Sequence, residues 1–217
     1  MAQLSFYSAD ASQPRVADLA GVLCAHGEIV SFASSAARLS IVVDEPWRAA
    51  ALREEFAVRG VTATLTTSEC GRPLVRTAFR SDLLGLATAW TSGASGTAGT
   101  SDDAKRLPDD FLLTGAVLRL WALAAGARER HDGKPRTGFL LGLDPVAQGT
   151  HQPLLRGLRQ AGLLSMSGKG SVVGVRTDSP SVRISGRARL RRLVELVGDA
   201  PIAAESAWPA SLVAVSA

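Results

Sequence analysis

The sequence has little of what would place it in several familiar protein classes. It contains two cysteines, Cys24 and Cys70, and three histidines among 217 residues, too few for a disulfide framework or a cysteine-rich zinc site. No apolar run reaches the roughly 18 residues of a membrane-spanning helix. The N-terminal segment lacks a basic stretch followed by an apolar one, so we expect no secretory signal and a cytoplasmic protein.

The motifs of common cofactors and nucleophiles are also absent. The chain has neither the GxxxxGK[ST] phosphate loop nor the GxGxxG dinucleotide fingerprint, and it lacks the GxSxG, HExxH and CxxC patterns. Neither sign of charge dominates, because the net charge is only +4 with 20% charged residues. That charge density is below that of a protein whose whole surface contacts phosphate. We therefore expect no metal and no organic cofactor.

A run of small and polar residues divides the chain. Residues 91–103 read TSGASGTAGTSDD and include no large apolar side chain, a composition typical of a flexible connector. The sequence thus predicts a first half at 1–90, a flexible linker at 91–107 and a second half at 108–217 with a C-terminal tail.

The periodic segments follow the same order in both halves. In the first half we expect helices at 17–26, 47–59 and 81–90 and strands at 28–33, 39–44, 61–66 and 74–80. In the second half we expect helices at 111–127, 152–161 and 187–197 and strands at 137–144, 172–176 and 182–185. An α-β-β-α-β-β-α unit that occurs about twice predicts a duplicated α+β fold, with two pseudo-symmetric halves sharing one core.

The first helix resembles a family motif. Residues 19–27 read LAGVLCAHG and resemble the LAGLIDADG helix of the homing-endonuclease fold, with identity at Leu19, Ala20, Gly21, Ala25 and Gly27. The stretch LLTGAVLRLWALAAG lies where the second such helix belongs, and VRISGRARLRRLVELVG resembles the last strand and helix of that fold. The resemblance covers roughly 18–198 and is greatest to the degenerate nuclease-like domain of WhiA-type sporulation regulators. It implies a saddle-shaped sheet beneath two closely crossing central helices.

The resemblance also implies a metal site, for which this chain lacks the residues. The family holds divalent metal with an acidic residue near the end of each central helix. Here the matching position in the first helix is His26, and in the second it falls near Leu120, where there is no acid. Glu28 comes two residues late and would begin the strand. We therefore do not expect a metal-dependent nuclease.

Alternation along the strands predicts which side chains lie on the open face of the first sheet. Those expected to face the helices are Leu39, Ile41, Val43, Val61, Ala63, Leu65, Val75 and Phe79. Those expected on the open face are Ser40, Val42, Asp44, Thr62, Thr64, Thr66, Arg72, Arg76 and Arg80. The three arginines recur every four residues. They predict either an anion-binding row, because a guanidinium grips carboxylate or phosphate with two hydrogen bonds, or a solvated strand face.

A small-molecule pocket on this open face is the first functional hypothesis. The catalytic candidates are Glu69, Glu28 and His26, because a carboxyl group among apolar side chains can have a raised pKa and move protons near neutral pH. The substrate-binding candidates are Arg72, Arg76, Arg80, Thr64, Phe32 and Trp90. Each also has an ordinary interpretation, the glutamates as surface residues and the aromatic side chains as core.

Stand-alone bacterial Pictet–Spengler enzymes resemble this chain in size and in the lack of a DNA-binding module. That resemblance implies a cofactor-independent condensation of a tryptophan-like amine with an aldehyde to a β-carboline, with an arginine holding the substrate carboxylate, and a homodimer. The alternative is a WhiA-like DNA-binding or transcription-associated protein without nuclease activity and without a helix-turn-helix partner. A protein-interaction module is the third hypothesis.

Overall fold

The first half forms one antiparallel sheet with helices on one face. The computed structural model describes residues 8–9, 13–91, 105–131, 134–166, 172–173 and 180–209. A short 3-10 turn (Val16–Leu19) leads into α1 (Ala20–Cys24), followed by β1 (Glu28–Phe32), β2 (Ala36–Val42), α2 (Pro46–Val58), β3 (Ala63–Thr67), β4 (Pro73–Thr77) and α3 (Leu84–Thr91). The strand order is β1-β2-β4-β3.

The second half repeats this arrangement. Its elements are α4 (Gly115–Ala125), β5 (Gly126–His131), β6 (Lys134–Gly142), α5 (His151–Gln160), β7 (Val172–Val173), β8 (Ser181–Ser185) and α6 (Arg187–Val197). The strand order β5-β6-β8-β7 matches that of the first sheet, strand for strand. The two sheets and their helices confirm the predicted α+β class. Residues 92–104, 174–179 and 210–217, parts of the predicted linker, strand and tail, lie outside the described residues.

The two central helices, α1 and α4, cross at the middle of the core. A Cβ atom on Gly21 would overlap the carbonyl oxygen of Val117 and lie 2.7 Å from the Cβ of Leu120. Only glycine therefore allows the backbones to approach this closely. Both helices are almost wholly buried, so the core is continuous across the two halves. No described helix is both long and apolar enough to cross a membrane.

The second central helix is shorter than the sequence indicates. A helix was expected over 111–127, but α4 ends at Ala125 and β5 begins at once, pairing with β6. Gly126 adopts extended backbone (φ −81°, ψ 141°), and a Cβ there would overlap the carbonyl oxygen of Ala122. The strand was missed because its sequence, GARERH, lacks the β-branched residues that mark strands.

The segment after α6 folds back onto the core. Trp208 is buried, its indole Nε1 donates to the carbonyl oxygen of Gly198 at 2.9 Å, and the guanidinium of Arg119 lies 5.5 Å from a ring centroid of Trp208. This tail was weakly patterned in the sequence because its apolar contacts are with residues far away in the chain.

Candidate functional site

The open face of the first sheet, the face opposite the helices, carries a row of four polar side chains. Strand pairing places Glu28 opposite Ser40, Ser40 opposite Arg76, and Arg76 opposite Thr64, one residue from each strand. The hydroxyl of Thr64 donates to the carbonyl oxygen of Arg76 at 3.1 Å. Three of the predicted site residues thus share one line, which we call the central row.

Arg76 is the free cation of the central row. Its side chain is exposed, and among the described residues its guanidinium has no carboxylate within ion-pair distance. Cross-strand neighbours on one face lie about 5 Å apart, so the hydroxyls of Ser40 and Thr64 flank it. Because the Thr64 hydroxyl already donates to the backbone of Arg76, the arrangement can place one cation and the hydroxyl donor of Ser40 against one anionic group.

Arg72 also lies on the open face, but its guanidinium already forms an ion pair with Asp44. One guanidinium nitrogen donates to Asp44 at 2.9 Å, and Nε lies 3.2 Å from the Cys70 thiol. Hydrogen bonds to Cys70 and Asp44 raise the pKa of Arg72. In return, the hydrogen bond with Ser68 and then that with Arg72 lower the pKa of Cys70 to about 7.

The structure places Arg80 on the opposite face from the one expected. The β2–β4 register sets Ser40 opposite Arg76, which would put Ala37 opposite Phe79, but Ala37 pairs with Arg80 instead. One extra residue therefore forms a bulge after Thr77, and every later side chain changes face. Arg80 donates to the carbonyl oxygen of Gly60 after α2 and pairs with Asp82.

The same bulge brings Phe79 onto the open face, where the sequence had placed it against the helices. It is 42% exposed, and its ring lies 5.5 Å from that of Phe32, which is 62% exposed. The guanidinium carbon of Arg38 lies 4.8 Å from the Phe79 centroid. We call Phe32, Phe79 and Arg38 the aromatic corner. Leu65 on the edge strand β3 is also partly exposed, although it too was expected to face the helices.

The three catalytic candidates are not brought together. Glu28 lies in the central row, whereas Glu69 lies in the exposed turn beyond Arg72. Arg72 comes four residues before Arg76 along the chain, so roughly 13 Å of extended chain separates Arg72 from the central row, and Glu69 lies in the turn beyond it. The Nε2 atom of His26 lies 2.7 Å from the carbonyl oxygen of Val42, so this nitrogen donates a hydrogen bond to the backbone.

Trp90 belongs to the core instead of the open face. Its side chain is 1% exposed and packs edge-on against Phe111, with ring centroids 5.7 Å apart. A ring in that position cannot contact a molecule bound on the open face.

A buried lysine occupies the end of the first central helix. The ammonium of Lys105 donates to the carbonyl oxygens of Ala25 (2.6 Å) and Gly27 (3.1 Å) and pairs with Asp144 at 2.5 Å. Burial lowers the pKa of Lys105, and Asp144 offsets only part of that effect. Burial opposes ionisation of Asp144 too, but the hydrogen bond and charge of Lys105 outweigh it and lower its pKa. The sequence had assigned Lys105 to a flexible linker.

A buried arginine closes the end of the second central helix in the same way. Arg48 on α2 donates to the carbonyl oxygens of Ala122 (3.2 Å), Leu123 (2.8 Å) and Gly126. Cations are favoured at helix C-termini, where unpaired carbonyls carry partial negative charge. At the C-terminal end of each central helix, backbone carbonyls therefore accept hydrogen bonds from a cationic side chain that lies outside that helix.

These helix ends do not fit a divalent metal. The sequence placed the metal-ligating position of the second central helix near Leu120. In the structure that position falls on Ala125, the last residue of α4, and the equivalent position after α1 is His26. Neither supplies a carboxylate, and Lys105 would lie against any bound cation. Within the described residues no group of three histidine, cysteine, aspartate or glutamate side chains could hold a metal ion.

The second sheet places an arginine at the position equivalent to Arg76. Arg183 on β8 lies opposite Leu140 on β6, as Arg76 on β4 lies opposite Ser40 on β2. Ser40 and Leu140 are each two residues before the end of their strand. Arg183 is part-exposed and pairs with Glu129 at 2.8 Å. The sequence offered no signal for this equivalence, because β5 and the register of β6 were not predicted.

Solved structures that share this fold include a homing endonuclease and two structures of DUF199/WhiA. The homing endonuclease I-WcaI bound to its DNA recognition sequence is 14% identical, with 91% of this chain and 83% of that chain covered and a TM-score of 0.55. The N-terminal LAGLIDADG domain of DUF199/WhiA is 8% identical over 94% of this chain and 96% of that chain, with a TM-score of 0.51. The full-length DUF199/WhiA from Thermatoga maritima is 11% identical over 100% of this chain, with a TM-score of 0.55.

These similarities confirm the predicted LAGLIDADG-like fold. This chain spans 63% of the length of full-length DUF199/WhiA. No family model and no curated protein matches the sequence. At sequence identities of 8% to 14%, the similarity to these structures shows a shared fold and nothing more.

Proposed function

We propose that this chain binds DNA on the open faces of its two sheets and does not cleave it with metal at the ends of the central helices. The observation that carries the proposal is the pair of arginines, Arg76 and Arg183, at equivalent positions on the two open faces. One structure of this fold is bound to its DNA recognition sequence. This function is the alternative that the sequence left open.

The central row suits a phosphate of the DNA backbone. Arg76 offers a guanidinium without a carboxylate partner among the described residues, and Ser40 provides a hydroxyl donor beside it, whereas the Thr64 hydroxyl is held by the Arg76 carbonyl. Arginine, serine and threonine are frequent donors to phosphate oxygens, and such contacts set the position of a protein on DNA. Arg183 keeps a partly exposed guanidinium beside Glu129 and so provides a second, weaker contact.

The proposal that the chain does not cleave DNA rests on the ends of the central helices. His26 and Ala125 stand where the resemblance requires carboxylates, and the ammonium of Lys105 lies directly beneath the first of these positions. A divalent cation would meet positive charge there and no anionic ligand from either helix. The residues therefore favour a protein that binds DNA and leaves it intact.

The geometry favours DNA binding over the Pictet–Spengler hypothesis. Glu28 and Glu69 lie well apart, Trp90 is in the core and Arg80 faces the helices. A cleft of about 300 Å³ is formed by Ala89 and residues 106–110, and none of the catalytic candidates lines it. The condensation of a tryptophan-like amine with an aldehyde stays a prediction from the sequence.

The proposal is tested by fluorescence anisotropy with a labelled duplex over a salt series. We expect affinity to fall with salt, and Arg76→Gln and Arg183→Gln each to weaken binding and reduce the magnitude of the log–log salt slope by about 1. Arg53→Gln is the matched control, because Arg53 is an exposed arginine on α2, in the helix layer. It should bind as the unmodified chain does.

Two results would overturn the proposal. One is the lack of any complex at low salt. The other is an equal loss of affinity in Arg53→Gln and Arg76→Gln, which would show a general effect of charge instead of a defined face. Incubation of the complex with Mg²⁺ should leave the duplex uncut, and cleavage would contradict the account of the helix ends.

A further inference from the structure

The aromatic corner exposes more apolar surface than a solvated sheet face requires. Phe32 and Phe79 are 62% and 42% exposed, and Val30 beside them is 42% exposed. Large aromatic side chains in water forgo the favourable free energy that burial would provide. A contiguous apolar patch of this kind marks an interaction surface more often than a lone exposed residue does.

Local backbone geometry builds this corner. The β1–β2 turn contains Ala33 and Ser34 with φ of 47° and 53°, and Phe32 is the last residue of β1. The bulge after Thr77 turns Phe79 to the same face. Regular alternation along β1 therefore places Phe32 on the same face as Glu28 and Val30, and the bulge adds Phe79, which regular alternation would have turned toward the helices.

Arg38 makes the corner cationic. It lies opposite Val30 on β2, and its guanidinium stacks over the Phe79 ring at 4.8 Å. Its Nε is buried and has no hydrogen-bond partner among the described residues. Arginine planes and aromatic rings together form the platforms on which nucleobases stack in single-stranded nucleic acids.

The corner adjoins the central row. Arg38 and Ser40 are two residues apart on one face of β2, and Ser40 lies beside Arg76. A DNA backbone held at Arg76 therefore brings its bases close to the corner. A second copy of this chain fits less well, because a symmetric contact through this face would set Arg38 and Arg76 of both copies against each other.

We propose that the aromatic corner stacks an unpaired base, so that the partner of this protein is duplex DNA interrupted by a short single-stranded gap. This inference rests on the proposed DNA binding and names the kind of DNA. Phe32 is the principal stacking surface, since it is the more exposed ring, and Phe79 with Arg38 holds it in place.

The test compares two labelled DNAs of equal length, one fully paired and one with three unpaired nucleotides at its centre. The full chain should bind the gapped DNA roughly tenfold more tightly, the scale of one base–aromatic stack. Phe32→Leu should bind both DNAs with the affinity of the paired one, and Phe32→Tyr should keep the preference. Leu112→Ala, which removes apolar surface at another exposed position, should keep it as well.

Each other outcome has a distinct meaning. Equal binding of both DNAs by the unmodified chain overturns the stacking platform and leaves DNA binding in place, whereas binding of neither overturns both proposals. A gap preference that survives in Phe32→Leu also overturns the platform. Self-association that depends on Phe32, measured by sedimentation velocity without DNA, would assign the corner to a second copy and overturn this inference.

Discussion

At the scale of single residues, the turn between β3 and β4 surrounds the Cys70 thiol with polar side chains that change its pKa. Cys70 is exposed, and its sulfur lies 3.1 Å from the Ser68 hydroxyl and 3.2 Å from Nε of Arg72. The hydrogen bonds with Ser68 and Arg72 favour the thiolate, the reactive form of cysteine, and lower the pKa of Cys70 to about 7. Cys24, in contrast, is buried in α1, and burial raises its pKa.

The first prediction concerns the reactivity of these two thiols. Iodoacetamide should modify Cys70 in the folded protein with a rate that rises with pH and has its midpoint near 7. Arg72→Gln should move that midpoint to higher pH, because one donor to the thiolate is lost. Cys24 should stay unmodified until the protein unfolds. Mass spectrometry of the alkylated peptides measures both, and an unchanged midpoint in Arg72→Gln would contradict the contact.

At the scale of elements, the crossing of α1 and α4 decides whether the two halves can share a core. The crossing depends on one missing side chain, because the backbone carbonyl of Val117 occupies the space that a Cβ of Gly21 would need. A backbone atom cannot move aside as a flexible side chain can. The LAGVLCAHG segment therefore carries a packing requirement that is independent of any catalytic role.

The second prediction compares two glycine substitutions in helices. Gly21→Ala should lower the free energy of unfolding by about 3 kcal/mol, because overpacking forces the helices apart. Gly85→Ala is the control, since nothing lies within 4 Å of the added Cβ on α3, and it should be neutral or stabilising by up to about 1 kcal/mol. Urea denaturation measures both. Equal effects would show that the crossing tolerates a methyl group.

The alternation of residues along the strands correctly predicted which face of the first sheet many side chains occupy. The wrong predictions have local physical causes. Leu39, Ile41 and Val43 are buried as expected, because β2 is regular over its length. Phe79 and Arg80 exchanged faces because a single bulge reverses the alternation. The pattern of side chains alone does not reveal a bulge, since its cause is the hydrogen bonding between strands.

The residues that the sequence could not assign act through distant partners. Lys105 was placed in a linker because its neighbours are small and polar, yet its contacts are with Ala25, Gly27 and Asp144. The β5 strand was missed because its residues are mostly polar and charged. The central row needed the register of four strands, which no periodicity provides. Alternation predicted that Ser40, Thr64 and Arg76 lie on the open face, but it did not predict which of them are cross-strand neighbours.

At the scale of the whole molecule, buried charges connect the two halves. Glu55 on α2 accepts from Arg119 on α4 and from Arg59, both at 2.6 Å. Burial of Glu55 opposes ionisation, but the two arginines outweigh it and lower its pKa. Arg48 on α2 reaches the end of α4 in the second half, and Lys105, between the halves, contacts Ala25 and Gly27 of the first half and Asp144 of the second.

The third prediction tests the Lys105–Asp144 pair in urea denaturation at pH 7 and pH 3. Lys105→Met should lower the free energy of unfolding at pH 7 by about 2 kcal/mol, because it leaves a largely buried carboxylate unpaired while solvent at its edge moderates the cost. In the unmodified chain the pKa of Asp144 is lowered. Its contribution is therefore complete above the ordinary carboxyl range and is lost as pH falls through the folded pKa.

In Lys105→Met the pKa of the Asp144 carboxyl group should be higher than in the unmodified chain, because the ammonium that lowers it is gone, so that acid neutralises the carboxylate sooner and removes its cost. The difference in stability between the two proteins must then narrow from pH 7 to pH 3. Lys105→Met combined with Asp144→Asn should recover part of the loss at pH 7, since it removes both charges together. A stability difference that is the same at both pH values, or a double variant that loses the sum of the single effects, would show that the ammonium acts only through the helix carbonyls of Ala25 and Gly27. The junction of the two halves would then depend on helix capping and not on an ion pair.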